Sequence, residues 1–281
     1  MKVTLALSAG FCSGVRRAIK IALETAAQAR SLKRVYMLGD IVHNERVVQQ
    51  IKDAGIIKTD TLRKKKNSIL LLRAHGACRQ IIAKASRLGY TVVDATCPMV
   101  KEIHRIAQDM ETRGYRIIII GDKNHDEVHG IKGQLRHRAL VVENASDIRP
   151  RVFAAIKKAA VVVQSTQNAR KVIPLVERIQ RLVGELRFFN TICRPTRVKQ
   201  EEIRRMPLES DVMIVIGSKT SANTRRLYEI SKNLNGKTYW VESKKAIKTD
   251  WFKNARSVGV TAGASTPDIT TREIVGYLKT L

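Results

Sequence analysis

The residues with the most chemical reach in this 281-residue chain are four cysteines, Cys12, Cys78, Cys97 and Cys193. No two lie close enough for a Cys-x-x-Cys pair, so zinc-finger and ferredoxin spacings are absent. Three of them share a context. Cys12, Cys97 and Cys193 each follow a short β-branched run and precede a helical pattern, at intervals of 85 and 96 residues. Ala95-Thr96-Cys97-Pro98 and Thr191-Ile192-Cys193-Arg194-Pro195 also share their Thr and Pro. Three thiolates from three similar modules could occupy three corners of a [4Fe–4S] cube and leave the fourth iron open as a Lewis acid. They could also hold zinc with a water, or be buried thiols. Cys78 has no counterpart in that register and reads as structural.

Three histidines, His43, His75 and His125, stand where β-branched runs end, as do Ser221, Asn223 and Ser265. A lone histidine there is a cap or a loop hydrogen bond. Together with hydroxyls, amides and helix N-termini, three of them describe a pocket able to bind phosphate with few charged side chains. His104, His129 and His137 lie in helical or Arg-rich stretches and read as surface residues. In His125-Asp126-Glu127 acids adjoin a histidine. A carboxyl in a dehydrated pocket beside a diphosphate would have a raised pKa and could deliver protons. Asp122 and Asp126 compete for that role, and an exposed helix N-terminus rich in acids is the plainer alternative. Gly-x-Gly-x-x-Gly, P-loop and Gly-x-Ser-x-Gly patterns are absent, which removes the motif for a tightly held dinucleotide or ATP and for an α/β-hydrolase.

The elements that must position these groups repeat along the chain. Apolar, β-branched runs at 3–7, 35–38, 68–72, 91–93, 116–120, 160–163, 186–189, 212–216 and 258–260 each end in a polar cluster, and most then enter an amphipathic pattern. Continuous apolar strands separated by helices imply α/β architecture with mainly parallel sheets covered on both faces. In such sheets the loops at the strand carboxyl ends form the binding face, and every polar cluster falls there. Three similar modules around a pseudo-threefold axis would bring the three thiols together. The boundaries expected are 13–96, 97–192 and 193–281, with 1–12 completing the third module.

Charge is the other conspicuous property: 52 Lys and Arg against 25 Asp and Glu, a net +27. It spreads as +12, +10 and +5 over residues 1–100, 101–200 and 201–281. The densest run, Arg63-Lys64-Lys65-Lys66, reads as a solvated loop. A basic chain attracts polyanions in general, so a nucleic-acid or other polyanion-binding protein is one reading. Diffuse charge, 5% aromatic residues and no RNA-binding motif weigh against specific nucleic-acid recognition. At 44% hydrophobic the chain is globular. Its longest apolar runs fall well short of a membrane span of about 20 residues. The N-terminus reads as a first strand rather than a signal peptide, so a cytoplasmic location is expected.

In order along the chain, Gly10-Phe11-Cys12-Ser13-Gly14-Val15, Val42-His43-Asn44, Ala74-His75-Gly76, Asp94-Ala95-Thr96-Cys97-Pro98, His125-Asp126-Glu127-Val128, Asn190-Thr191-Ile192-Cys193, Gly217-Ser218-Lys219 through Asn223, and Val260-Thr261-Ala262-Gly263-Ala264-Ser265 resemble the LytB family of 4-hydroxy-3-methylbut-2-enyl diphosphate reductases. The resemblance covers essentially the whole chain. It implies a trefoil of three α/β modules around a [4Fe–4S] cluster ligated by Cys12, Cys97 and Cys193, with the substrate's C4 hydroxyl on the open iron. It implies a diphosphate held by His43, His75, Ser221, Asn223 and Ser265 beside Ala222, with His125 orienting near the phosphate and Glu127 as proton source. Ser165 and Thr166 stand at the family's Thr-Thr pair, with Ser165 bonding the substrate hydroxyl and relaying the proton. Reduced ferredoxin or flavodoxin is the implied electron donor, and isopentenyl and dimethylallyl diphosphate are the implied products. A non-redox iron–sulfur dehydratase of another phosphorylated substrate is the alternative. Three positions depart from the pattern: Asp122 stands where His is frequent, Ser165 replaces Thr, and Ala222 replaces Ser at the cost of one phosphate donor.

Overall fold

Alternation along the apolar runs decides the architecture. In the run 116–120, Ile118 and Ile120 join Val161 and Val163 in one core, while Ile117 and Ile119 join Ala160 and Val162 in another. A pleat sends successive side chains to opposite faces, so a run that is apolar at every position must be covered on both sides. A computed structural model describes residues 1–29, 33–65 and 67–281. Among these residues the order is β1 (Lys2–Leu5), α1 (Ser13–Ala29), β2 (Arg34–Leu38), α2 (Glu45–Asp53), β3 (Ile56–Thr59), β4 (Ser68–Leu72), α3 (Arg79–Arg87), β5 (Tyr90–Asp94), α4 (Pro98–Thr112), β6 (Arg116–Ile120), α5 (Asp126–Lys132), β7 (Leu140–Val142), α6 (Pro150–Ala154), β8 (Lys158–Val163), α7 (Ala169–Gln180), β9 (Glu185–Phe188), α8 (Arg194–Arg205), β10 (Val212–Ile216), α9 (Ala222–Leu234), β11 (Thr238–Val241), β12 (Ser257–Ala262) and α10 (Asp268–Thr280).

The strands form three four-stranded sheets, all parallel, with the same internal order: β3-β2-β4-β5, β7-β6-β8-β9 and β11-β10-β12-β1. All nine strands expected from the sequence are present. The edge strands β3, β7 and β11 are additional. The first strand is shorter than its apolar run: it ends at Leu5, and Leu7 is almost fully exposed. The chain packs as two compact units. One comprises Met1–Arg16, Val42–Gln50 and Cys193–Leu281, and holds the β11-β10-β12-β1 sheet. The other comprises Arg17–Ile41 and Ile51–Ile192, and holds the other two sheets.

Two surface expectations change. Arg63 and Lys64 are exposed as expected of a solvated loop, Lys65 is half-buried with its ammonium over the Tyr36 ring, and Lys66 lies outside the described residues. His129 and His137 are exposed, but His104 is only 9% accessible. It shares the inward face of α4 with Val100, Ile103 and Ala107, a spacing of three and four residues that turns one stripe of a helix inward. Burial pulls its pKa down to about 4, partly opposed by the charge of Asp94, so the ring is neutral packing behind the Gly76 turn. No helix among the described residues is long and apolar enough to cross a membrane.

Candidate active site

Within the unit built on β2–β9, the loops after three strand ends meet around one carboxylate. Glu127 lies in the first turn of α5 and is 2% exposed, which rules out the exposed-terminus alternative. Its Oε1 accepts the Ser165 amide at 2.6 Å and its Oε2 contacts the Ser165 hydroxyl at 2.8 Å. Burial raises the Glu127 pKa to about 7, against two Ser165 hydrogen bonds that favour the anion and with some help from the Asp122 charge. The neighbouring acids are occupied otherwise. Asp126 makes a two-pronged ion pair with Arg73 at 2.7 and 3.1 Å, and Asp122 accepts from Gln167 Nε2 at 3.1 Å. Glu127 is thus the carboxyl of this cluster whose proton is poised near neutrality.

His125 caps α5: its Nδ1 accepts the Glu127 amide at 3.1 Å. A neutral ring that accepts at Nδ1 carries its proton on Nε2, so it offers a donor to an anion. The His75 ring meets it edge to face, centroids 5.6 Å apart. Thr166 accepts from Gln164 Nε2 at 3.0 Å, and Gln164 Oε1 accepts the Asp122 amide at 2.8 Å. These two buried glutamines, Gln164 and Gln167, hold the loops after β6 and β8 together, a role not expected from the sequence.

The unit built on β1 and β10–β12 carries a second cluster. Ser221 caps α9, its Oγ accepting the Thr224 amide at 3.3 Å. Ser265, after β12, donates to the His43 carbonyl at 3.2 Å and reaches Ser221 Oγ at 3.5 Å. The His43 loop is held from below, because Arg46 on α2 pairs with both Glu273 oxygens on α10 at 3.0 and 3.1 Å. Asn223 Nδ2 is buried without a protein partner, and a buried amide donor left unmade is costly. Set at a helix N-terminus among hydroxyls, it is fitted to a phosphate oxygen. Ala222 is the first residue of α9 and offers only its backbone. The loop's own cation, Lys219, is turned away: its ammonium lies 4.2 Å over the Trp240 ring and bonds the Trp240 carbonyl. The backbone enters this loop through Gly217, whose φ of 147° suits glycine and where a Cβ would fall 2.6 Å from Thr224 Oγ1. A diphosphate would therefore meet neutral donors here. Asn223→Ala is expected to raise KM for a diphosphate substrate roughly 10- to 100-fold with kcat little changed, since a hydrogen bond to a charged group is worth about 1.5–3 kcal/mol. Steady-state kinetics check this, and an unchanged KM would remove Asn223 from the site.

The three cysteines of the repeat occupy equivalent places. Cys12 follows β1, Cys97 follows β5 and Cys193 follows β9, each strand being the same edge of its sheet. Each is half-buried, and α1, α4 and α8 begin immediately after them. The amides of Cys12 and Cys97 bond equivalent carbonyls, Ala264 and Ala74, in the loop after the neighbouring strand. Cys97 and Cys193 are N-cap residues whose thiols do not cap. Cys12 Sγ accepts the Val15 amide at 3.5 Å, and Cys193 Sγ lies 3.1 Å from Thr196 Oγ1. Three sulfur donors at equivalent strand ends form a soft donor set, which fits an iron–sulfur cluster. Cys78 holds the N-cap position of α3, its thiol not capping, and packs so closely on Gly133 that a Cβ added there would collide with it.

Parallel α/β sheets, a cluster of neutral donors at a helix N-terminus, a buried carboxyl poised to hold a proton and three cysteines set directly before helices suit a metal-assisted enzyme acting on a phosphorylated substrate. The chain belongs to the LytB protein family, whose model matches residues 3–279. It is 39% identical to the 4-hydroxy-3-methylbut-2-enyl diphosphate reductase of Aquifex aeolicus, over 95% of this chain and 92% of the relative. It is 38% identical to that of Dictyoglomus turgidum, over 100% and 97%. Among solved structures it resembles an (E)-4-hydroxy-3-methyl-but-2-enyl diphosphate reductase described as the terminal enzyme of the non-mevalonate pathway, at TM-score 0.74 and 36% identity over the whole of both chains. It also resembles the E-1-hydroxy-2-methyl-but-2-enyl-4-diphosphate reductase of Plasmodium falciparum, at TM-score 0.90 and 28% identity over 99% of this chain and 88% of that one.

Proposed function

We propose that the chain converts 4-hydroxy-3-methylbut-2-enyl diphosphate to isopentenyl and dimethylallyl diphosphate by reductive dehydroxylation. The reaction consumes two electrons and two protons and releases water. The observation that carries the reading is Glu127, a buried carboxyl with a pKa near 7 in contact with the Ser165 hydroxyl, in a chain of this family. On this reading Cys12, Cys97 and Cys193 hold a [4Fe–4S] cluster, which supplies single electrons and a Lewis-acid iron when bound.

The protein's own groups do the rest. Ser221, Asn223 and Ser265, the Ala222 backbone, His43 and His75 take the diphosphate, with His125 donating from Nε2. Ser165 and Thr166 take the substrate hydroxyl end. The Ser165 hydroxyl donates to ionised Glu127 Oε2 at 2.8 Å; once protonated, Glu127 donates through Oε2 to Ser165 Oγ, and the serine passes its own proton to the departing hydroxyl. The buried setting of Glu127 and Ser165 excludes bulk water from that transfer. The second proton goes to the allyl unit, and its two ends give the two products.

On the same reading the modules run 13–96, 97–192 and 193–281 with 1–12, the donor is reduced ferredoxin or flavodoxin, and the enzyme works in the cytoplasm. Neither a membrane nor a specific nucleic acid is a partner. The test is an anaerobic absorption spectrum. A brown reconstituted protein, once reduced, is expected to reoxidise on addition of the substrate. A colourless protein after reconstitution would overturn the reading, and turnover without any reductant would favour a dehydratase instead.

A further inference from the structure

The helix that begins at Cys193 also grips the loop that carries Cys12. Lys199 on α8 is 2% exposed, an extreme position for an ammonium. Its Nζ donates to the carbonyls of Ser8, Gly10 (3.0 Å) and Ala262 (3.1 Å). One turn on, the Glu202 carboxylate accepts the amides of Leu7 (2.7 Å) and Ser8 (2.9 Å) and the Ser8 hydroxyl. A cation takes the loop's carbonyls and an anion takes its amides, so both signs of backbone dipole are satisfied from one helix face. Gly10, with φ of 88°, completes the turn into Cys12. Burial pulls the Lys199 pKa down to about 8, with nearby anionic groups opposing the shift, so the ammonium is still the main form at neutral pH.

We propose that Lys199, with Glu202, is a positioning residue for the metal centre: the pair clamps loop 7–10 onto α8 so that Cys12 is set for ligation, and the buried positive charge of Lys199 favours the reduced cluster. The proposal rests on the reading that Cys12 and Cys193 are cluster ligands. Burial strengthens the effect of the charge, because a cation in a low-dielectric interior acts on a nearby anionic centre with little screening.

The test is a redox titration of the reconstituted cluster, followed by electron paramagnetic resonance, in the wild type, Lys199→Met and Lys199→Arg. Lys199→Met is expected to shift the reduction equilibrium about tenfold toward the oxidised cluster, 59 mV for a one-electron couple. Lys199→Arg is expected to stay near the wild type. Equal potentials in the wild type and Lys199→Met would overturn the role of the charge. Should Lys199→Met fail to fold, Glu202→Gln decides the clamp. In the metal-free protein, alkylation of Cys12 by iodoacetamide is expected to quicken at least threefold relative to Cys97, and an unchanged ratio would overturn it. A wild type that stays colourless defeats the metal-centre reading. A brown wild type whose potential Lys199→Met leaves untouched defeats only the role of Lys199.

Discussion

Glu127→Gln is expected to lower kcat by about 10²–10⁴-fold, the usual worth of a positioned general acid, while substrate binding is largely kept. The amide fills the same volume and its oxygen can still accept the Ser165 amide, but it has no acidic proton to give. Steady-state rates with a chemical reductant check this, and a loss below tenfold would remove Glu127 as the acid. In the wild type kcat is expected to fall as pH rises through about 7, where the carboxyl loses its proton. Stability carries the same signature. The carboxyl titrates at about 7 when folded and near 4.5 when exposed, so between those values the folded chain holds a proton that the unfolded chain has released. The stabilisation of the neutral form is whole below 4.5 and lost as pH rises through about 7. His104 works with the opposite sign, its folded value of about 4 lying below the ordinary 6.5, so its contribution is lost on acidification. The wild type minus Glu127→Gln difference in unfolding free energy, which cancels His104, is therefore the diagnostic: it should favour the wild type more at pH 5 than at pH 7.5.

Cys97→Ser is expected to give a folded protein that stays colourless and loses activity by more than about 100-fold, beyond what the outer partners of a metal site are worth. The N-cap position makes this test clean. The Cys97 thiol does not cap α4, whereas serine is a preferred cap, so the substitution leaves the helix at least as stable. Iron and sulfide content after anaerobic reconstitution, beside a thermal melt, separates ligation from folding. Cys78→Ser is expected to keep both colour and activity. Full iron content in Cys97→Ser would remove Cys97 from the ligand set.

The parts of the fold visible in the sequence are those whose runs are buried on both faces. The strands β6, β8 and β10 are apolar at nearly every position because two cores claim alternate residues. The strands β3, β7 and β11 have three or four residues each, lie at sheet edges and bury little, so they leave no comparable trace. The Ser, Asn, His and Cys positions at strand ends are legible because a parallel sheet gathers its loops there. Glu127 is legible as an acid beside His125, but its burial depends on the loop after β8, far along the chain. His104 and Lys199 hide for a related reason. Their spacing from Ile103 and Ile203 places them on inward faces, yet their types suggest water, and tertiary partners override type. The +27 charge does not reach the cluster of Ser221, Asn223 and Ser265, whose donors are neutral and whose loop turns Lys219 onto Trp240.

The pairing of β1 with β12 has a bearing on how the molecule comes into being. Lys2 lies beside Ser257 in the sheet, so β1 takes as its neighbour a strand made far later in synthesis. At about 5–20 residues per second, synthesis keeps β1 waiting for tens of seconds. Over that interval the Ala262 carbonyl that completes the seat of Lys199 does not yet exist, while the two sheets of the other unit have been made in full. Biogenesis therefore runs in a set order. The sheet that precedes Cys97 is made first, and the Cys12 loop gains its full seat on α8 only when β12 arrives, so the setting of that loop is a late event in the life of the chain.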